Sequence, residues 1–93
     1  MHPVRFAGTI RHWNPEKQSG LAVIDVPSEH VPALGGLKQQ HVEGTINGTA
    51  FGSNVMPAGG GRLALSVSKA MLGNAGTAIG RSADVEISRI GRG

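Results

Sequence analysis

Four histidines, His2, His12, His30 and His41, are the side chains best suited to hold a metal ion or to move a proton near neutral pH. Their spacing argues against both roles. None belongs to an HxH or HxxxH pair, the patterns that place two imidazoles on one face of a strand or helix. His30 follows Glu29, but successive residues of a helix point about 100° apart and cannot serve one site. His12 and His41 could meet only across strands, and surface or edge positions account for all four. A serine hydrolase needs its nucleophile on a sharp, glycine-flanked turn with a histidine in reach. Ser53, within Phe51-Gly52-Ser53-Asn54, comes nearest and lacks that elbow. Carboxylate pairs for acid–base work would have to be drawn from Asp25, Glu43, Asp84 and Glu86, and solvated strand faces explain Glu43 and Glu86. The absence of cysteine excludes disulfides, thiolate metal sites and cysteine nucleophiles. No catalytic residue, metal site or cofactor is assigned, and the chain reads as non-catalytic.

Two features suit binding instead. Gly59-Gly60-Gly61 precedes Arg62, and consecutive backbone N–H groups of a glycine-rich turn can surround an anion beside a guanidinium. It is not a P-loop, since no Gly-Lys-Ser/Thr follows. Trp13, the single tryptophan, stands beside His12 just before Asn14-Pro15. Buried, it would plug the core with its N–H paired; exposed, it would mark a ligand or partner surface. Together with Lys69 these give a candidate binding set of His12, Trp13, Gly59, Gly60, Gly61, Arg62 and Lys69, for an unidentified small molecule or protein partner.

A net charge of +3 and a pI near 10.2 raise the question of nucleic acid. Only 16% of residues are charged, and the nine cations are scattered along the chain. The high pI therefore reflects few acids rather than a basic patch, and aromatics at 3% supply no stacking platform. The mild cluster Ser88-Arg89-Ile90-Gly91-Arg92-Gly93 reads as a solvated tail. The N-terminal Met-His-Pro-Val-Arg-Phe has no apolar signal-peptide core, and no apolar run reaches spanning length. The expectation is a cytoplasmic protein without a membrane segment, and with room in 93 residues for one domain, 1–93.

The elements that must position these residues are short. Fifteen glycines and five prolines cut the chain into strand-length pieces. Val4 to Arg11 alternates apolar and polar residues, the period of a half-buried strand. Asn14-Pro15 ends it and Glu16 to Ser19 read as a polar loop. Leu21 to Val26 is almost continuously apolar, which predicts a strand buried on both faces. Pro27 to Val31 suits a short helix with proline in its first turn. His41–Ile46 and Thr49–Val55 flank Asn47-Gly48, the dipeptide of a two-residue type I′ hairpin. Met56 to Gly61 reads as a flexible connection. Arg62–Val67 predicts a further strand, Ser68 a cap for a helix over Lys69–Leu72, and Ala83–Ser88 a last alternating strand. Met56 and Met71 read as core filler.

An internal echo runs through this order. Ile24-Asp25-Val26-Pro27 entering Ser28-Glu29-His30-Val31 parallels Leu65-Ser66-Val67-Ser68 entering Lys69-Ala70-Met71-Leu72. One strand-then-helix unit cannot cover its own apolar face, whereas two interleaved can close a barrel. The string Gly44-Thr45-Ile46-Asn47-Gly48-Thr49-Ala50-Phe51, then Met56-Pro57 with a glycine-rich turn, then Leu65-Ser66-Val67-Ser68-Lys69-Ala70-Met71, resembles the small bacterial family called domain of unknown function 1905. The resemblance spans roughly Phe6 to Ile87. It implies a mostly β fold, a small double-split β-barrel of about six strands with two short capping helices. It also implies an uncharacterised binding or interaction module, with a link to stress or antimicrobial tolerance through the bacteriocin-protection domains that accompany the family. Where that family usually has Gly-Asp before its last strand, this chain has Gly80-Arg81-Ser82-Ala83-Asp84. Two alternatives remain open: a nucleic-acid-binding barrel of the AbrB type, and a small enzyme with a pocket at the barrel end. Aliphatic edge strands would also allow a homodimer.

Overall fold

The computed structural model describes residues 3–14 and 21–90. Pro15, the Glu16–Ser19 loop, His2 and the last three residues of the tail lie outside the described residues. Among those described, six strands close into an antiparallel barrel: β1 (Val4–His12), β2 (Ala22–Val26), β3 (Gln40–Ile46), β4 (Thr49–Gly59), β5 (Arg62–Val67) and β6 (Ser82–Arg89). Around the barrel the order is β1-β2-β5-β4-β3-β6. Two consecutive 3₁₀ turns, Ser28–His30 and Pro32–Leu34, join β2 to β3, and one helix, α1 (Lys69–Asn74), follows β5.

The echo in the sequence is a two-fold relationship in space. Carrying β1, β2 and β3 onto β4, β5 and β6 turns the β1–β2 pair into β4–β5 and the β1–β6 pair into β4–β3. The β2–β5 and β3–β6 pairs map onto themselves. Ile24 and Leu65, which headed the two echoing segments, are directly opposite each other. Phe6 opposite Val85 corresponds to Phe51 opposite Gly44, and both phenylalanines pack against the core.

β1 and β4 are the split strands. β1 pairs with β6 from Val4 to Thr9 and with β2 from Ile10 to His12. β4 pairs with β3 from Thr49 to Val55 and with β5 from Val55 to Gly59. Each change of partner opens a gap, and the connecting turns fill the gaps. The filling differs between halves. In the first, Pro32 has no N–H for the carbonyl of Ser28 and its ring would clash there, so the expected helix is replaced by 3₁₀ bonds, Val31 N–H to Ser28 at 3.2 Å and Leu34 N–H to Val31 at 3.1 Å. In the second, Ser68 caps α1: its Oγ accepts from Met71 N–H at 3.1 Å, and the Ser68 N–H donates back to Met71 Sδ at 3.4 Å, a thioether version of the capping box.

The core is aliphatic. Ile10, Ile24, Val26, Val42, Ile46, Val55, Leu63, Leu65 and Ile87 are fully buried or within one percent of it. β2 is buried on both faces as its sequence predicts: Ala22, Ile24 and Val26 join the central cluster and Val23 is buried on the other side. At the Asn47-Gly48 turn both residues take positive φ, 48° and 84°, the type I′ geometry. Asn47 Oδ1 also accepts from Asp84 N–H at 2.9 Å, tying the turn to β6. The connection expected over Met56–Gly61 is mostly strand. β4 continues to Gly59 through an irregularity between Pro57 and Gly59, because Met56 and Pro57 keep the alternation that sets Pro57 opposite the buried Leu63. β4 has only β5 as its paired neighbour here, which is where a proline without an N–H is tolerated.

Candidate functional site

Beyond the Val55–Leu65 pair β4 and β5 diverge, and α1 lies in the gap. Thr49 Oγ1 donates to the Asn74 carbonyl at 3.4 Å, pinning the far end of α1 to β4. Ser53 Oγ donates to the Ser66 carbonyl at 2.6 Å, bridging the two diverging strands. What α1 does not fill is a crevice of about 700 Å³. β1 and β2 contribute His12 and Ala22, β4 contributes Ser53 and Asn54, β5 ends in it at Val67, and α1 adds Lys69 and Leu72. Leu21 and Ile79 line it as well, and both are exposed apolar residues.

The register explains the gathering. His12 pairs with Ala22 and Ala22 with Val67, so the last residue of β1 and the last of β5 reach the same end of the barrel. Lys69 follows two residues later, in the first turn of α1. The site is mainly apolar with a few polar atoms, the composition of a small-molecule site. Two of those atoms stand out. His12 Nδ1 and Asn54 Oδ1 are buried with no hydrogen-bond partner. Each such orphan costs about 1–3 kcal/mol relative to its solvated state, and such atoms are uncommon in folded proteins.

The structure thus brings His12 and Lys69 of the candidate set to one crevice, whose lining does not include Trp13. Trp13 is 37% exposed, and its backbone N–H donates to the Leu21 carbonyl at 2.8 Å, extending the β1–β2 ladder one step. Gly59, Gly60, Gly61 and Arg62 lie elsewhere. They form the β4–β5 turn at the opposite end of β5, roughly 20 Å from Ser68 at strand rise. All three glycines there have positive φ, 84°, 64° and 75°, and the turn is exposed. Arg62 is near enough to Asp25 to help hold its carboxyl below the ordinary range. His41 faces Asn54 across β3 and β4 and, with Val42 and Ile90, lines a more open depression that shares Gly52, Ser53 and Asn54 with the crevice.

Sequence reasoning passed over Asn54 and assigned Ser53 no site role. The available signal was an asparagine inside a strand-forming stretch, a residue that strands select against. Ser53 has its hydroxyl committed to a backbone carbonyl rather than to a base. Among the described residues no group of three or more histidines and carboxylates comes together around a metal position. No described helix is long and apolar enough to cross a membrane. The strongest electrostatic feature lies away from the crevice, where Arg11 clamps Asp25 from β1 to β2, with Nε to Oδ2 at 2.8 Å and Nη2 to Oδ1 at 2.9 Å. Those bonds lower the Asp25 pKa and raise that of Arg11.

Comparison with curated proteins finds no match. Residues 6–87, most of the chain and all of the barrel except the first two residues of β1 and the last two of β6, match the family described as Domain of unknown function (DUF1905). On that match, and with the closed six-stranded barrel that the residues build, the chain belongs to the DUF1905 family.

Proposed function

We propose that this barrel is a non-catalytic binding module whose ligand sits in the crevice between β4, β5 and α1. The observation that carries the reading is the pair of buried, unpartnered polar atoms, His12 Nδ1 and Asn54 Oδ1, both belonging to residues that line that crevice. A site with unmet polar atoms between apolar walls gains more from a shaped ligand than from bulk water. Among the described residues lining the crevice there is no carboxylate, which favours binding over catalysis, since His12 then has no described acid to orient it as a general base. The family resemblance supplies a setting, a bacterial cytoplasmic module in stress or antimicrobial tolerance. Against a nucleic-acid reading stand Arg5 and Arg11, which are paired with Glu86 and Asp25 rather than free to meet phosphates.

Trp13 reports on this site because it adjoins His12. Its fluorescence, followed with the melting temperature while small molecules of graded polarity and short duplex DNA are added, tests the reading. Saturable changes that disappear in Asn54→Leu support it. A response to DNA alone that weakens steeply with salt overturns it in favour of the nucleic-acid barrel.

A further inference from the structure

We infer that the end of the barrel beneath the second 3₁₀ turn binds the terminal phosphate of a small molecule, held by the guanidinium of Arg89 with Gln40 and Lys38 beside it. This site is separate from the crevice. Val4 pairs with Ile87, so the end of β6 lies beside the start of β1, whereas the crevice gathers around His12 at the other end of β1.

Arg89 is the last residue of β6, opposite Val42, and not part of a solvated tail. It shares the strand parity of the buried Ala83, Val85 and Ile87, so its stem follows the inner row of β6. The guanidinium comes to rest against Gly35. A Cβ built on Gly35 would stand 2.9 Å from Nη1 and 3.3 Å from Cδ of Arg89. Glycine serves twice here: it takes the left-handed φ of 93° that ends the turn, and it leaves the space the guanidinium needs.

The guanidinium has five N–H donors and no acceptor for any of them among the described residues. Nε is buried and unpartnered. Nη1 and Nη2 are not buried, and neither enters a hydrogen bond or an ion pair. The root of the group is thus fixed inside the fold while its two outer nitrogens stay within reach of a ligand. A charged donor left unmet in this way is costly and uncommon, and an absent ion is one of its standard explanations. No described acid supplies the missing charge. Glu86 and Asp25 are paired with Arg5 and Arg11, and the other described acids make no ion pair. The undescribed residues nearest in chain and register, Met1, His2 and Gly91 to Gly93, carry no acidic side chain.

Gln40 adds a second donor. It stands two residues before Val42, so it is the diagonal neighbour of Arg89 across β3 and β6. Its Nε2 lies 3.3 Å from the same point above Gly35 that Nη1 approaches to 2.9 Å, which puts the two nitrogens within about 6 Å of each other. One tetrahedral oxyanion spans that distance when each donor stands about 2.8 Å from its own oxygen. Lys38 belongs to the loop running from Gly35 to Gln40, is exposed and makes no ion pair. Two cations and a neutral amide suit a dianion with three accepting oxygens better than a singly charged carboxylate.

The test titrates the ¹⁵N-labelled full chain at constant ionic strength with inorganic phosphate, butyl phosphate, acetate and a short DNA duplex lacking terminal phosphates. Nuclear magnetic resonance follows the Gly35 and Gly36 amides, the Gln40 side-chain amide and the Arg89 Nε–H. Both phosphates are expected to move these signals saturably, and acetate to bind about tenfold more weakly. Arg89→Met keeps the apolar stem and abolishes the response, and Arg89→Lys keeps the charge but not the fork and weakens it by about tenfold. Lys38→Gln, at an exposed position that leaves the fold intact, removes most of the preference over acetate. Arg92→Gln, in the tail, changes nothing. The inference is overturned if neither phosphate moves the four signals, if acetate binds equally well, or if Arg92→Gln loses as much as Arg89→Met. Tighter binding of the duplex overturns it as well, and gives the site to a nucleic-acid backbone. Trp13, at the far end of β1, stays unperturbed by phosphate, so these outcomes are independent of the crevice.

Discussion

Ile24 and Leu65 face each other across β2 and β5, both with no exposed surface, at the point where the two halves of the barrel exchange places. Each is the other's counterpart, so the centre of the core is a contact of one half with the other half's version of itself. Leu65→Ala is expected to cost about 2–5 kcal/mol through lost burial and a residual cavity. Ile24→Val removes one methyl group and costs about 0.5–1.5 kcal/mol. Because the two side chains share one packing site, the double variant should depart from additivity by 0.5 kcal/mol or more, roughly the smallest coupling seen between residues in contact. Urea unfolding of the two single variants and the pair measures this.

Gly44 is where the barrel closes most tightly. A Cβ placed there would run into the Glu86 carbonyl on β6. Gly44→Ala should therefore destabilise by more than about 3 kcal/mol or prevent folding, since only backbone movement relieves the overlap. Gly52, on the neighbouring strand, has nothing closer than 4.0 Å around the same position. Gly52→Ala should leave the melting temperature within a few degrees of the parent, and the contrast separates a steric cause from a general penalty on strand glycines.

The Arg11–Asp25 clamp makes stability depend on pH in a defined direction. Asp25 has its pKa lowered in the folded state, so its contribution is present above the ordinary carboxylate range and is lost as pH falls through the lowered value. Both side chains keep over a third of their surface in water, 39% and 34%. Screening therefore holds the pair to about 0.5–1 kcal/mol. Asp25→Asn should lower stability by about that much at pH 7, and the loss should shrink in acid. Thermal melts from pH 7 down to pH 2 in low and high salt show whether the wild-type and variant curves converge as expected.

Ser68 holds the start of α1, and α1 holds one wall of the crevice. Ser68→Ala removes the acceptor of the Met71 N–H and should cost about 1 kcal/mol. The effect should be local. Hydrogen exchange at the Leu72 and Ala75 amides, which donate to Ser68 and Met71 carbonyls, should accelerate, while amides in the β2–β5 ladder keep their protection.

Much of this architecture was legible in the residues. Asn47-Gly48 predicted its hairpin because positive φ at two successive positions leaves few other sequences. The apolar run through β2 announced a strand covered on both sides, and Ser68 announced its cap. The first short helix is there as two 3₁₀ turns rather than an α-helix, because Pro27 suits a helix start while Pro32, four residues beyond Ser28, forbids the bond that would make it α-helical. The binding set was legible only in part. His12 and Lys69 meet because of strand register, a long-range property that one sequence does not display. The same register sends Gly59–Arg62 to the other end of β5 and brings in Asn54, which nothing in its local sequence had marked.

Where β4 leaves β5, its backbone has a paired neighbour only on the β3 side, and α1 rests beside the vacated flank. Such a flank invites another chain to add itself as a strand. The short helix is therefore a stopper as well as a wall: seated, and pinned at Thr49, it stands where another chain's strand would have to lie along the start of β4. Loosening it to admit a larger ligand would trade that isolation for a tendency to exchange strands between copies. The fold thus sets an upper bound on how far its own crevice can be widened.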